Sequence, residues 1–158
     1  MKFENFSIQY LKLLADSGAL ALPDSCNSFI DDDLAEECDC RVVVATKAPN
    51  LLNAVGVLFY TRYLNALNIE YVKVAEECGE QKIASRMVCE MVAHPTSWCT
   101  KSIRGFACSE DGNNLVSAIR RIGTEHGLEV VIFPTKNYRA DDEQQLIQLL
   151  KKFRLAAI

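Results

Sequence analysis

Arg41-Val42-Val43-Val44-Ala45-Thr46-Lys47-Ala48-Pro49-Asn50 is the stretch on which the fold turns. Its first six residues are a β-branched run, apolar on both faces, the pattern of a strand buried in the middle of a sheet. Lys47 to Asn50 breaks the run. The next segment decides the topology: Leu51, Leu52, Val55, Leu58, Phe59 and Tyr63 fall on one face of a helix over 51–67. A buried strand succeeded by a long helix calls for a crossover to a parallel neighbour.

The same alternation extends downstream. Residues 69–74 read as a second strand and 80–93 as a helix with Ile83, Met87 and Met91 in register, stopped by Pro95. Ser102 to Cys108 is a strand weakened by Gly105, and a helix then runs from Ser109-Glu110-Asp111-Gly112 to a close at Gly127. Residues 129–133 form a strand, and Asp141-Asp142-Glu143 opens a last helix. Within 81–108, Met87, Cys89, Met91 and Ala93 also alternate, which fits a hairpin as well as a crossover helix. Upstream, Phe3, Phe6, Tyr10, Leu13 and Leu14 predict an extra N-terminal helix over 3–17 with Gly18 as its left-handed cap, and 31–37 a short acidic helix. The expected fold is a single three-layer α/β domain over 1–158, a mostly parallel sheet of four or five strands with helices on both faces.

Composition sets the outer bounds. The chain has 158 residues, 49% apolar and 24% charged, enough for one core without staples. A formal charge of −4 argues against a dedicated nucleic-acid binder. No run of about eighteen apolar residues offers a membrane span. The N-terminal segment carries Glu4 and Asp16 where an export signal would be apolar, so the seven cysteines read as reduced thiols in the cytoplasm.

In an open α/β sheet, ligands bind beyond the carboxyl ends of the strands. Thr46, Lys47 and Asn50 leave one strand there, and Thr135, Lys136 and Arg139 leave another; both strands end in Thr-Lys. Two ammonium groups, a guanidinium and hydroxyls suit a phosphate or carboxylate. The plainer reading makes the lysines solvated loop residues and the threonines turn formers. Neither phosphate-binding glycine motif occurs, so no nucleotide cofactor of the usual kind is expected, and none of another kind is indicated. Cys38 and Cys40 are separated by one residue where paired zinc ligands keep two to four, so no metal is expected with Cys26, Cys38 and Cys40. His126 suits a helix C-terminus. His94 and Cys99 flank a varied loop and are the candidate nucleophile pair, against the plain reading of polar surface.

These residues favour a non-catalytic domain that binds a small anionic ligand or a protein partner, as a homo-oligomer. The alternative is a small hydrolase or transferase acting on an acidic or phosphorylated substrate through Lys47, Lys136 and Arg139, with His94 or Cys99 reactive.

Overall fold

The computed structural model describes residues 1–26, 39–78, 80–107 and 110–134. Nine elements run in order: β1 (Lys2–Ser7), α1 (Ile8–Asp16), β2 (Asp39–Lys47), β3 (Asn50–Tyr63), β4 (Ala66–Val74), α2 (Glu80–Ala93), β5 (Ser102–Ala107), α3 (Glu110–Glu125) and β6 (Glu129–Pro134). The six strands make one sheet in the order β1-β2-β3-β4-β5-β6. The first three pairings are antiparallel and only β4–β5 and β5–β6 are parallel. This corrects the expected mostly parallel sheet.

The correction comes from two segments. Residues 2–7 form a strand against β2, Phe3 opposite Ala45 and Phe6 opposite Val42, so the expected N-terminal helix begins only at Ile8. Ser7 caps it, its hydroxyl accepting from the Tyr10 amide at 3.3 Å. Gly18 takes φ +74 beyond its end, as the sequence predicts. The segment expected as helix 51–67 is instead β3, which returns along β2 with Val44 opposite Val57 and Val42 opposite Phe59. Its apolar positions suit both periods because β3 is covered on both faces: residues 56–60 are all buried. Periodicity cannot separate a helix from a strand buried on both sides. The turn after β2 therefore closes a hairpin.

Two layers cover the sheet. On one face α2 and α3 bury Ile83, Met87, Met91, Ile119 and Ile122 against Val43, Leu58, Leu67 and Ile103. On the other, Ile8 and Leu11 of α1 pack with Val42, Val44, Val57 and Phe59. Alternate residues of β2 thus serve opposite cores, which is why its run is apolar throughout. Helices on both faces were expected and are present. So are the strands around 69–74, 102–107 and 129–133 and the helices of 80–93 and 110–125; the hairpin alternative for 81–108 does not occur in the described part. His126 closes α3, its Nδ1 lying 2.9 Å from the Ile122 carbonyl, and Gly127 takes φ +69 just beyond. The expected helices over 31–37 and from 141 onward lie outside the described residues. Among the described residues, no helix is long and apolar enough to cross a membrane.

Candidate functional site

The parallel seam of the sheet is short. β4 pairs with β5 over four rungs, from Ala66–Ser102 to Ile69–Gly105. On its other side β4 pairs with β3 as far as Val74, and β5 continues along β6 to Ala107. The two halves of the sheet therefore part company after Ile69 and Gly105.

Two residues make this fork. In the β3–β4 ladder Tyr60 faces Ile69 and the next rung is Phe59–Tyr71, so Glu70 is an extra residue, a β-bulge. The bulge changes the parity of β4. Before it Ile69 joins the α2–α3 core; after it Tyr71 joins the α1 core, its ring 6.4 Å from that of Phe59, while Val72 and Val74 take up the α2–α3 side. Gly105 forms the last rung, where a Cβ would sit 3.3 Å from the Ile69 carbonyl oxygen. A larger residue would push that carbonyl back by a few tenths of an ångström, so glycine suits the close approach at the apex.

Glu70 itself is half-buried, with Oε1 accepting from the Thr61 hydroxyl of β3 at 3.0 Å. Strand direction places the C-termini of β4 and β5 and the first turns of α2 and α3 on one edge of the sheet, the edge toward which the fork opens. Helix first turns bring backbone N–H groups and the positive end of a dipole to that edge. On the α1 face a smaller cavity of about 160 Å³ is lined by Glu4, Phe6, Tyr10, Leu14, Val44 and Leu51.

Of the residues singled out in the sequence, Thr46 also lines this cavity. Thr46 is buried at the irregular end of β2, while Lys47 and Asn50 are exposed in the hairpin turn, where Asn50 Oδ1 accepts from the Leu52 amide at 3.3 Å. Thr135, Lys136 and Arg139 lie outside the described residues. β2 and β6 run in the same direction, but three strands lie between them, about 19 Å across four strand spacings. The sheet order does not bring Lys47 to the end of β6.

His94 and Cys99 lie beyond the C-terminus of α2, on the edge opposite the fork opening. The His94 ring meets Thr96, with Nδ1 2.8 Å from Oγ1, and Arg41, whose Nη2 is 3.5 Å from Nε2; Cys99 is not among its partners. Arg41 Nε in turn donates to Asn5 Oδ1 at 2.7 Å, and Asn5 Nδ2 donates to the buried Tyr60 hydroxyl at 2.8 Å. Burial, and then the Arg41 guanidinium, hold the His94 pKa below the usual histidine value, against an opposing pull from Asp39. Cys26 is in the α1 core and Cys40 within β2; Cys38 lies outside the described residues. Among the described residues, no three histidine, cysteine or carboxylate side chains are grouped to hold a metal.

Sequence reasoning passed over Glu70 and treated Gly105 only as a weakness of its strand. A glycine inside a strand is the signal that was available, since it marks a close backbone approach. Glu70 had none, because a bulge is a property of two paired strands.

The described residues thus form a mixed six-stranded sheet forked at its parallel seam, with one helix on one face and two on the other. No protein-family model and no curated protein matches the chain. Among solved structures it is similar to an aminoglycoside 6'-N-acetyltransferase from Acinetobacter haemolyticus, at 16% identity and a TM-score of 0.46, over 88% of this chain and 100% of that one. It is also similar to a diaminobutyrate acetyltransferase from Paenibacillus lautus, with its substrate and coenzyme A, at 16% identity and a TM-score of 0.42, over 79% of this chain and 74% of that one. A third is an aminoglycoside acetyltransferase from an uncultured soil metagenomic sample, at 14% identity and a TM-score of 0.40, over 96% and 89%.

The expectation of a non-catalytic binding domain is corrected here. It rested on the lack of a catalytic constellation in the sequence, whereas the solved structures just named are acetyltransferases.

Proposed function

We propose that the chain is a small N-acyltransferase that moves an acyl group, acetyl in the simplest case, from a coenzyme A thioester to an amine. The observation that supports this reading is the fork itself, a bulge at Glu70 and a glycine at 105 that end the only β4–β5 ladder. Bulges next to strand ends re-aim side chains and terminate pairing, and they recur beside active sites. An extended thioester arm suits a slot between two diverging strands, where main-chain groups can bind it as an added strand would be bound. Its phosphates suit the helix first turns on the same edge.

The chemistry needs one proton acceptor. The amine nitrogen attacks the thioester carbonyl, a C–N bond forms, the C–S bond breaks and the thiol leaves. The proton released from nitrogen goes to the Glu70 carboxylate, directly or through one water. Backbone N–H groups of β4 at the fork would carry the charge that develops on the carbonyl oxygen. The cavity beside α1, with one carboxylate and an aromatic wall, suits the organic part of an amine acceptor. A cytoplasmic location goes with this reading, since seven cysteines suit a reducing compartment.

The test is release of free thiol from acetyl-coenzyme A in the presence of a panel of amines, including an aminoglycoside, diaminobutyrate, a polyamine and a peptide with a free N-terminus. Amine-dependent release is expected, and Glu70→Gln, which keeps the acceptor oxygen for Thr61, should lower it about a hundredfold without moving the melting temperature. If coenzyme A does not bind in calorimetry and no amine stimulates thiol release, the proposal is wrong.

A further inference from the structure

A second feature of the molecule lies outside the fork. α2 and α3 run side by side over the same face of the sheet, and their outer surfaces enclose an open groove of about 770 Å³. The spacing of residues along the two helices decides its lining. On α2 the positions 82, 85 and 86, and on α3 the positions 114, 117 and 121, lie on the side away from the core, since the core takes Ile83, Met87, Val116 and Ile119. The lining therefore offers three cations (Lys82, Arg86, Arg121), two hydroxyls (Ser85, Ser117) and an amide (Asn114), with Ala118 the one apolar residue.

None of the three cations is held in an ion pair with another described residue. Arg86 stacks its guanidinium over the Phe3 ring of β1, 4.7 Å from the centroid, which fixes its stem along one rim. Glu90 and Glu125 lie one turn beyond Arg86 and Arg121 on the same two helices. They act with Arg86 and Arg121 on the Cys89 thiol, where burial comes first and raises its pKa. The groove itself is lined by cations and by no carboxylate. On a chain of net charge −4, a basic patch flanked by hydroxyl donors is a local feature that bulk charge does not produce.

We infer that the α2–α3 groove binds the phosphate groups of a small phosphorylated ligand, with Lys82 and Arg121 reaching it from opposite walls. A guanidinium gives paired donors to phosphate oxygens, an ammonium adds a mobile charge, and serine and asparagine side chains supply neutral donors. An acidic protein segment is the less suitable occupant, because Glu90 and Glu125 would meet it one turn further along the helices. The phosphate source is either a free phosphorylated metabolite or the phosphorylated end of a thioester carrier. Phosphate binding in this groove does not depend on whether the chain transfers acyl groups.

The experiment is isothermal calorimetry of the whole chain with inorganic pyrophosphate and, separately, with coenzyme A, at two salt concentrations. Lys82→Ala and Arg121→Ala are each expected to weaken pyrophosphate binding about tenfold. Arg120→Ala is the charge-matched control, since Arg120 is the exposed neighbour that does not line the groove. All three positions are on the surface, and unchanged circular dichroism and melting temperature confirm the fold. Loss of affinity for both probes in Arg121→Ala identifies a carrier's phosphates as the ligand, whereas loss for pyrophosphate alone identifies a separate metabolite. Absence of pyrophosphate binding, or equal losses in Arg120→Ala and Arg121→Ala, overturns the inference.

Discussion

Gly123 offers a test in which two well-known effects have opposite signs. It lies buried in the last turn of α3, and a glycine within a helix normally costs about 1 kcal/mol against alanine. On propensity alone Gly123→Ala should stabilise the protein. The structure says otherwise. A Cβ built on Gly123 falls well inside van der Waals contact with Cγ2 of Val130 in β6, and it also sits 3.3 Å from the Leu128 carbonyl oxygen. Leu128 cannot retreat easily, because its amide donates to the Gly123 carbonyl at 2.7 Å in the tight turn from α3 to β6. Overpacking of this kind costs about 1–3 kcal/mol. The expected net effect is a loss of about 1 kcal/mol, which in a chain of this size lowers the melting temperature by about 2–4 °C.

Val130→Ala supplies the control, because it removes the methyl that the new Cβ meets. In that background Gly123→Ala should turn stabilising, by up to about 1 kcal/mol, as propensity reasserts itself. Urea denaturation of the four proteins in the cycle gives the coupling energy, expected at about 2 kcal/mol. A Gly123→Ala protein more stable than the parent, or a cycle with no coupling, would refute the claim that glycine is required for α3 to approach β6. The claim matters beyond stability, since the seat of α3 also sets one wall of the basic groove.

The other predictions concern pH, backbone strain and the fork. Because the folded pKa of His94 is lowered, its neutral ring is favoured in the native state and the unfolded chain takes up the proton first. Its contribution to stability is thus complete above the ordinary value of 6.5 and is lost as pH falls from there toward the folded pKa. Urea midpoints between pH 5 and 8 should show this decline, and His94→Asn should flatten it, since asparagine can still cap the 3-10 turn Pro95–Ser97, whose Thr96 amide now donates to the His94 ring. Leu64 takes φ +53 in the exposed turn from β3 to β4, so Leu64→Gly should stabilise by about 1 kcal/mol in the same assay; a destabilised variant would contradict this. Deleting Glu70 should make the β3–β4 ladder regular and let β4 pair with β5 beyond Ile69. Retention of the melting transition with loss of coenzyme A binding is expected, and unaltered binding would separate the bulge from the function proposed for it.

Much of the element inventory was legible in the chain. The runs at 41–46, 69–74 and 129–133 are strands in the structure, and the helix over 80–93 has the bounds its apolar spacing implied. Gly18 and Gly127 end helices with positive φ, as their positions suggested. Residues 51–67 misled for a physical reason. Leu51, Val55, Leu58 and Phe59 satisfy helical spacing, yet Val57 and Phe59 face α1 while Leu58 and Tyr60 face α2 and α3. A segment needed by two cores carries apolar residues at every position, and its periodicity then fits either element. Phe3 and Phe6 misled in the same way, one facing each core.

The candidate site was less legible than the fold. Reading the connections as crossovers led to the ends of β2 and β6, which the sheet order keeps apart, and to His94, which faces Arg41 and Thr96 at the other edge. By itself, then, the sequence determined where backbone could be buried: local apolar patterning, cap residues and breakers act over a few positions and are written in the chain. Only the tertiary structure decided which strands pair, in which direction, and where a ladder stops. The fork exists because Glu70 has no counterpart on β3 and Gly105 fits beneath the Ile69 carbonyl. Those relations join residues from different strands, and they take physical form only once the strands lie side by side.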